Sequence, residues 1–178
     1  MLTATNSGTA RMFIRFITTG GTIDKIYFDA MSQFEVGESP ISNILTEGLV
    51  SFDYDVVSMF QKDSLELTDD DRQKLKAFIE EDDASHYVIT HGTDTMVDTA
   101  RVISDVANKT IVLTGSLSPA RFKTTDAVFN IGMAVGAVQS LQTGIYIVMN
   151  GCVFTAGEAI KNRSENRFER VAESTAEN

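Results

Sequence analysis

Two turns rich in glycine and threonine constrain this chain more than any other feature of its sequence. Residues 19–24 read Thr-Gly-Gly-Thr-Ile-Asp and residues 91–95 read His-Gly-Thr-Asp-Thr, and each turn follows a short apolar run rich in β-formers. Glycine has no side chain, so the backbone can turn sharply there and approach a ligand closely. A threonine at such a turn presents its hydroxyl where a substrate can sit. Together the turns indicate hydroxyl-based nucleophilic chemistry on a small polar substrate.

The order of strand and helix signals along the chain predicts the fold class. The predicted strands cover residues 12–18, 51–60, 87–90, 110–114 and 144–149. The predicted helices cover residues 40–45, a segment that begins at 68, a segment after 95, and 126–141. Strands that alternate with helices indicate an α/β domain with an open, largely parallel sheet flanked by helices.

The chain is expected to form one domain over residues 11–168, because no repeat, low-complexity block or linker divides it. We expect residues 1–10 to be a disordered lead-in and residues 169–178 to be a frayed tail. Residues 24–39 show no clear period, and we expect a loop that is long enough to move. Asn150-Gly151 is a turn signal between two β-like segments.

The predicted topology brings the two threonine turns together. In open α/β sheets, ligands bind beyond the carboxyl ends of the strands. The turns at Gly20-Gly21, His91-Gly92 and Gly115-Ser116 all follow predicted strands. We therefore expect them to share one edge of the sheet, with both threonine turns facing one pocket.

Composition excludes several classes of partner. The formal net charge of −10 argues against nucleic acid, which needs clustered Lys and Arg, and disfavours an anionic membrane surface. The first eleven residues lack the apolar core of a signal peptide, and no apolar run approaches the roughly 20 residues of a membrane span. We therefore expect a cytoplasmic protein that binds neither nucleic acid nor membrane.

We also expect neither a metal nor another cofactor. The single cysteine, Cys152, excludes an internal disulfide and a cysteine-based zinc site, and the two histidines, His86 and His91, are too few for a multi-histidine cage. Neither a Gly-x-x-x-x-Gly-Lys loop nor a Gly-x-Gly-x-x-Gly turn follows a strand, so use of a nucleotide is not indicated.

A threonine hydroxyl needs a neighbouring base before it can act as a nucleophile. The chain has no Gly-x-Ser-x-Gly elbow. Other candidates for activation are Asp94, which follows Thr93, and Lys161, which can act as a base when its pKa is lowered. Tyr27 can polarise the Thr22 hydroxyl if the predicted loop folds over it. Backbone N–H groups near Gly92 can stabilise an oxyanion.

Each of these residues also has a structural interpretation that needs no catalysis. Threonine and aspartate also cap helices, so Thr22, Thr93 and Asp94 can have that role. Lys161 can be a solvated surface residue, and Tyr27 can be a packing residue. Asp63-Ser64 can be a loop or capping pair. We expect His91 to order its turn, and the acidic run 69–71 to cap a helix behind Thr68.

Four motifs of this chain resemble the bacterial-type L-asparaginase family. They are Thr-Gly-Gly-Thr-Ile at 19–23, Lys-Asp-Ser at 62–64, Ile-Thr-His-Gly-Thr-Asp-Thr-Met at 89–96 and Val-Met-Asn-Gly at 148–151. Two long glycine–threonine motifs in this order and spacing are specific. The resemblance runs from about residue 11 to about residue 168, and it implies a fold like that of the family's N-terminal domain.

The resemblance implies an amidohydrolase that converts L-asparagine to L-aspartate and ammonia without a cofactor. It implies that Thr22 is the primary nucleophile, with Tyr27 as its loop-borne helper. It also implies a second, hydrogen-bonded triad, which consists of Thr93, Asp94 and Lys161. The residues that it assigns to substrate binding are Asp63 and Ser64, for the α-amino and α-carboxylate groups, and Gly21 and Gly92. Which threonine forms the covalent bond stays open.

The chain ends where most family members continue into a smaller C-terminal domain. It is either a natural short form, which its end without an apolar run favours, or the N-terminal domain of a longer enzyme. Family members act as dimers or tetramers, so we expect a homo-oligomer. Gly132 and Gly136 on the helix 126–141 are expected to allow close packing against the sheet or a partner.

Three other functions compete with an L-asparaginase. The first is a glutaminase or an amidase for another small amide, since one or two pocket side chains decide that preference. The second is a non-catalytic amino-acid-binding domain of the same fold, which would have no need of two hydroxyls, a tyrosine and a lysine together. The third is an amidotransferase subunit, which would need further domains or a partner.

Overall fold

The computed structural model describes residues 11–28 and 33–171, and its centre is a six-stranded sheet. The strand order is β4-β1-β5-β6-β7-β8. In chain order these strands are β1 (Phe13–Gly20), β4 (Asp53–Lys62), β5 (His86–Thr90), β6 (Thr110–Thr114), β7 (Gly144–Met149) and β8 (Cys152–Thr155). The first five run parallel and only β8 is antiparallel, which confirms the predicted α/β class with a largely parallel sheet.

Helices cover both faces of this sheet. They are α1 (Ile41–Glu47), α2 (Asp69–Glu81), α3 (Met96–Val102) and α4 (Ala127–Ser140). Neighbouring residues of a strand point to opposite faces. Ile111 and Leu113 of β6 therefore pack with the α2 and α3 residues of one core cluster, whereas Val112 packs with α1 and α4 on the other side. The inner strands read as nearly continuous apolar runs because both of their faces are buried, whereas the edge strands β4 and β8 are mostly exposed or half-buried.

Two local signals in the sequence are confirmed. Thr68 caps α2 through a capping box with Asp71, so the acidic run serves the helix start. Asn150 and Gly151 both have positive φ, 53° and 75°, and they form the turn between β7 and β8. The strand expected at 51–60 lies two residues later, at Asp53–Lys62.

The segment expected to be a loop at 24–39 is partly regular, which corrects that prediction. Residues Thr22–Asp24 form one turn of 3-10 helix, and β2 (Lys25–Phe28) pairs antiparallel with β3 (Gln33–Val36). Each strand has only four residues, too few for its alternation of apolar and polar positions to stand out from a loop.

A second hairpin was missed near the end of the chain. Strand β9 (Ala159–Asn162) pairs antiparallel with β10 (Arg167–Arg170), so Glu169 and Arg170 lie in a strand and not in a frayed tail. The cause is Phe168, which is 4% exposed and packs into the core on the α2 and α3 side. The expected lead-in 1–10 and the end of the tail, 172–178, lie outside the described residues.

Gly132 and Gly136 of α4 do not pack against the sheet. A Cβ atom placed on either residue would have no heavy atom within 4 Å among the described residues, apart from its chain neighbours and the backbone of its own helix. The helix instead packs through Ile131, Ala134 and Val138, which lie on its opposite side. The expected role of these glycines in contacting the sheet is therefore wrong. Within the described ranges, no helix is both long and apolar enough to cross a membrane.

Candidate active site

Three turns meet where the neighbouring strands β4, β1 and β5 end. Gly21, after β1, has φ of 87°, and a Cβ atom there would overlap the backbone of Gly92 after β5. A Cβ atom on Gly92 would lie 2.5 Å from Cβ of Ser64, which follows β4. Only glycine permits this approach. The structure thus places the two threonine turns at one edge of the sheet, as expected from the strand ends, with the Gly115 turn against His91. It also brings the Asp63-Ser64 segment there, which the strand ends alone did not predict.

Hydrogen bonds hold the three turns in place. The Gly21 N–H donates to the carbonyl of Lys62 at 2.9 Å. The Thr19 hydroxyl donates to the carbonyl of Thr90 at 2.9 Å, and the Thr95 hydroxyl donates to the carbonyl of Ser64 at 2.7 Å. Sequence reasoning gave no role to Thr19 or Thr95, although both lie inside the quoted motifs. They use their hydroxyls to tie one strand end to the next.

Lys161 contacts both Thr93 and Asp94. Its Nζ donates to Thr93 Oγ1 at 2.7 Å and forms an ion pair with Asp94 Oδ1 at 2.8 Å. Strand β9 positions this lysine, because Lys161 lies opposite the buried Phe168 of β10. The Lys161 side chain is 12% exposed, so the interpretation as a solvated surface residue is wrong. Lys161 is 68 positions from Thr93 and 67 positions from Asp94 in sequence, and only the fold brings it to that adjacent pair.

Thr22 and Thr93 differ in exposure. Thr22 is half-buried at the start of the 3-10 turn that leaves β1, whereas Thr93 is only 4% exposed. Of the two hydroxyl-bearing residues, Thr22 is therefore the more accessible from outside. The backbone of Tyr27 lies in β2 opposite Phe34, and its side chain lies outside the described part of the structure.

Asp63 is held in place by contacts with Leu65, Glu66 and Lys25. Its Oδ1 accepts the N–H of Leu65 at 3.1 Å, its N–H donates to Glu66 at 3.3 Å, and its Oδ2 forms an ion pair with Lys25 at 2.8 Å. Burial raises the pKa of the Asp63 carboxyl, but the contacts with Lys25 and with the Leu65 N–H outweigh burial and hold that pKa below its usual value. Capping was one expected role of Asp63. The partner Lys25, 38 residues away, had no signal in the sequence.

His91 orders its turn through a buried hydrogen-bond chain. A carbonyl can only accept, so His91 Nδ1 carries the hydrogen and donates to the Gly92 carbonyl at 2.7 Å. Nε2 then accepts from the Thr99 hydroxyl at 2.8 Å, and Thr99 accepts from Arg72 Nε at 3.2 Å. Burial lowers the pKa of His91 to about 4, so the ring is neutral at pH 7. A neutral His91 holds the peptide that precedes Thr93.

Asp24 is a buried carboxyl that sequence reasoning passed over, although it ends the first motif. It is 2% exposed, two residues after Thr22. Burial raises the pKa of Asp24 to about 6, against weaker opposing effects from nearby hydrogen-bonding groups and from the charge of Arg121. Its folded-state pKa therefore lies above its unfolded value, whereas that of His91 lies below.

We expect Asp24→Asn to expose a pH dependence that the unmodified protein hides. Between pH 6 and 4, folding makes Asp24 take up a proton and stops His91 from taking one up, so the two contributions to stability have opposite signs and offset each other. Without Asp24, the free energy of unfolding should fall by about 2 kcal/mol more than in the unmodified protein as the pH drops from 7 to 4. Urea unfolding of both proteins at pH 4, 5, 6 and 7 measures this difference. A difference between them that stays constant with pH would contradict the assignment.

An open cleft of about 770 Å³ lies beside these turns. Its lining includes the Lys25–Asp63 pair and Asp94, together with Glu35, Val36, Gln61, Leu65 and Glu66. The cleft volume suits a small-molecule ligand. Among residues 11–28 and 33–171, no group of three or more His, Cys, Asp or Glu side chains is placed to hold a metal ion.

A family model and a curated relative both match most of this chain. The family model described as asparaginase, N-terminal, matches residues 13–174. The glutaminase-asparaginase of Acinetobacter glutaminasificans is 27% identical over 165 residues, which is 82% of this chain and 48% of that protein.

Two solved structures share the fold. The thermostable L-asparaginase from Thermococcus kodakarensis superposes with a TM-score of 0.75 at 24% identity, over 90% of this chain and 51% of that one. L-asparaginase I from Vibrio cholerae O1 biovar eltor str. N16961 superposes with a TM-score of 0.79 at 22% identity, over 90% of this chain and 52% of that one. The chain thus spans about half the length of these three relatives.

Proposed function

Since the chain belongs to the asparaginase family, we propose that it hydrolyses L-asparagine to L-aspartate and ammonia through a threonine nucleophile. The observation that carries the proposal is the contact of Lys161 with both Thr93 and Asp94, at the sheet edge where Gly21 meets Gly92. A hydroxyl that accepts a hydrogen bond from a lysine ammonium, itself held by a carboxylate, can turn its own hydrogen toward a substrate or a water. The reaction consumes only water, so the proposal requires no cofactor.

Thr22 is proposed as the nucleophile, because it is the more accessible of the two threonines. Its oxygen attacks the carbon of the side-chain amide, and its proton passes to a base. The carbon–nitrogen bond then breaks, and the nitrogen takes up a proton and leaves as ammonia. Water attacks the resulting ester, which releases aspartate and restores the threonine. Tyr27 is proposed to assist Thr22.

Thr93, Asp94 and Lys161 are proposed to act as a unit. Because Lys161 donates to the Thr93 oxygen, the hydroxyl hydrogen of Thr93 is directed elsewhere and can serve the substrate or the attacking water. Ser64 and the backbone at Gly21 and Gly92 are proposed to contact the substrate, with Asp63 beside its α-nitrogen. The 2% exposure of Ser64 supports a fixed position at the base of the site.

The test is ammonia release by the purified chain from L-asparagine and, separately, from L-glutamine. We expect release from both amides, faster from L-asparagine. Faster release from L-glutamine would favour the second candidate, a glutaminase, which the name of the Acinetobacter relative supports. No release from either amide, by a chain with native circular dichroism, would contradict the hydrolase proposal for these substrates. It would favour an amino-acid-binding domain or an amidotransferase subunit.

We also propose that the chain assembles as a homo-dimer or homo-tetramer. The outer face of α4 supports this, because Val128 and Phe129 are 56% and 62% exposed and Gly132 and Gly136 on the same helix present no side chain. An apolar face of this kind is suited to burial against another chain. The expected location in the cytoplasm and the expected absence of nucleic-acid and membrane binding stay predictions from the sequence.

A further inference from the structure

Lys25 brings a positive charge into a cleft that is otherwise lined by carboxylates. Of the described residues that line this cleft, only Lys25 is basic, and four are acidic: Glu35, Asp63, Glu66 and Asp94. An ammonium group of a ligand can pair with several of these carboxylates, including Asp94, whose side chain is 35% exposed. A negatively charged group of a ligand is repelled by all four and attracted by Lys25 alone. Recognition of such a group in the cleft therefore depends on Lys25.

Asp63 holds the Lys25 ammonium in a fixed position. Lys25 Nζ lies 2.8 Å from Asp63 Oδ2, and the other oxygen of Asp63 accepts the N–H of Leu65. A free lysine side chain loses rotamer entropy when it binds a ligand, and the ion pair removes part of that loss beforehand. An ammonium has three hydrogens, so one can serve Asp63 while the others face the cleft. The Lys25 side chain is 27% exposed, which leaves room for a second acceptor.

A second carboxylate can bind to this ammonium despite the negative charge of Asp63. On the side of Nζ away from Asp63, it would lie about twice as far from that carboxylate as from Lys25, and Coulomb energy falls with distance. The attraction to Lys25 therefore exceeds the repulsion by Asp63. The hydroxyl of Ser64, which is proposed to contact the substrate, can add a hydrogen bond but no charge.

The backbone places Lys25 beside the proposed nucleophile. The Lys25 N–H donates to the carbonyl of Thr22, and Lys25 then begins β2, where it lies opposite Val36 of β3. In L-asparagine, only two carbon atoms separate the side-chain amide carbon from the α-carboxylate carbon. The groups that hold these two ends of the substrate must therefore lie close together. The hydrogen bond between Lys25 and Thr22 ties the charged residue to the turn that carries the reacting hydroxyl.

We propose that Lys25 binds the α-carboxylate of the substrate and is a specificity-determining residue of the site. This inference rests on the proposed function and adds a residue to it. Lys25 supplies the charge that distinguishes the amide of an α-amino acid from a simple amide of the same length. It takes no part in breaking the carbon–nitrogen bond.

Ligands that lack the α-carboxylate test the proposal. β-Alaninamide is L-asparagine without that group, and β-alanine is L-aspartate without it, so the members of each pair share their ammonium. We expect the unmodified chain to favour L-asparagine over β-alaninamide in kcat/KM, and L-aspartate over β-alanine in calorimetric Kd. Lys25→Met should reduce both preferences by about tenfold to hundredfold, mainly through KM for the amides, because the charge that pairs with the carboxylate is lost.

Two further variants make the test specific to this position. Lys25→Arg keeps a positive charge that pairs with carboxylates and should keep most of both preferences. Lys74→Ala is the matched control, since it removes a lysine of α2 that pairs with Asp70 and should leave both preferences unchanged. Measurements at about 0.5 M salt suppress the long-range effects of charge. Circular dichroism checks the fold of each variant.

The outcomes separate this inference from the proposed function. Preferences that Lys25→Met leaves unchanged or increases, or an unmodified chain that does not favour the ligands with an α-carboxylate, would overturn the role of Lys25. Ammonia from L-asparagine together with any of these results would leave the hydrolase proposal standing. Binding of L-aspartate that weakens in Lys25→Met as expected, with no ammonia from L-asparagine or L-glutamine, would support the role of Lys25 and contradict the hydrolase proposal.

Discussion

Replacing Thr22 by alanine should lower the rate of ammonia release from L-asparagine by about 10,000-fold, the scale of loss seen when an enzyme loses its nucleophile. Thr93→Ala should lower the same rate by about 100-fold to 1,000-fold, since it leaves the nucleophile in place and removes the hydroxyl that Lys161 contacts at 2.7 Å. Both substitutions should lower kcat and leave KM largely unchanged, because neither hydroxyl is proposed to supply most of the substrate binding.

The serine variants sharpen this test. Thr22→Ser and Thr93→Ser keep a hydroxyl at each position and should restore most of the activity that the alanine variants lose. Thr46→Ala is the matched control, because Thr46 is an exposed threonine of α1 whose hydroxyl donates only to the carbonyl of Ser42, one turn earlier. A larger loss for Thr93→Ala than for Thr22→Ala would reverse the two proposed roles. Circular dichroism of each variant separates loss of chemistry from loss of fold.

Gly21→Ala should strongly destabilise the fold. Gly21 has φ of 87°, which costs any other residue about 1 kcal/mol or more. Its new Cβ would also overlap the backbone of Gly92, which cannot move aside as a flexible side chain could. Together these effects should lower the free energy of unfolding by at least about 4 kcal/mol, a large share of the stability of a domain of this size.

The matched control for Gly21→Ala is Gly157→Ala. Gly157 is exposed in the turn between β8 and β9, and an added Cβ there would meet no described heavy atom within 4 Å beyond its chain neighbours. Alanine should therefore change the free energy of unfolding by less than about 0.5 kcal/mol. Guanidinium unfolding measures both changes. A Gly21→Ala protein as stable as the unmodified one would show that the two turns do not pack as closely as described.

Much of the fold could be predicted from local sequence signals. The inner strands of the main sheet are short, mostly apolar runs that are buried on both faces. Thr68 with Asp71 satisfies the N-terminus of α2 within four residues. Such signals act between neighbours in the chain, so they can be read without the fold. The hairpins β2–β3 and β9–β10 were not predicted, because each strand has four residues and the second depends on the burial of Phe168 against distant helices.

The sequence by itself determined which groups this protein can use: two threonines after glycine turns, placed at the ends of strands whose alternation with helices predicts a largely parallel sheet. Local patterns could not determine their partners; the family resemblance implied Lys161 for Thr93, and nothing in the sequence indicated Lys25 for Asp63. Lys161 lies 68 residues from Thr93, and Lys25 lies 38 residues from Asp63, yet each pair is within 2.8 Å. Periodicity and turn chemistry describe neighbours in the chain, whereas contacts between charged side chains depend on how distant segments pack. The tertiary structure fixed the contact of Lys161 with Thr93 that the resemblance implied, and it alone decided that Lys25 pairs with Asp63.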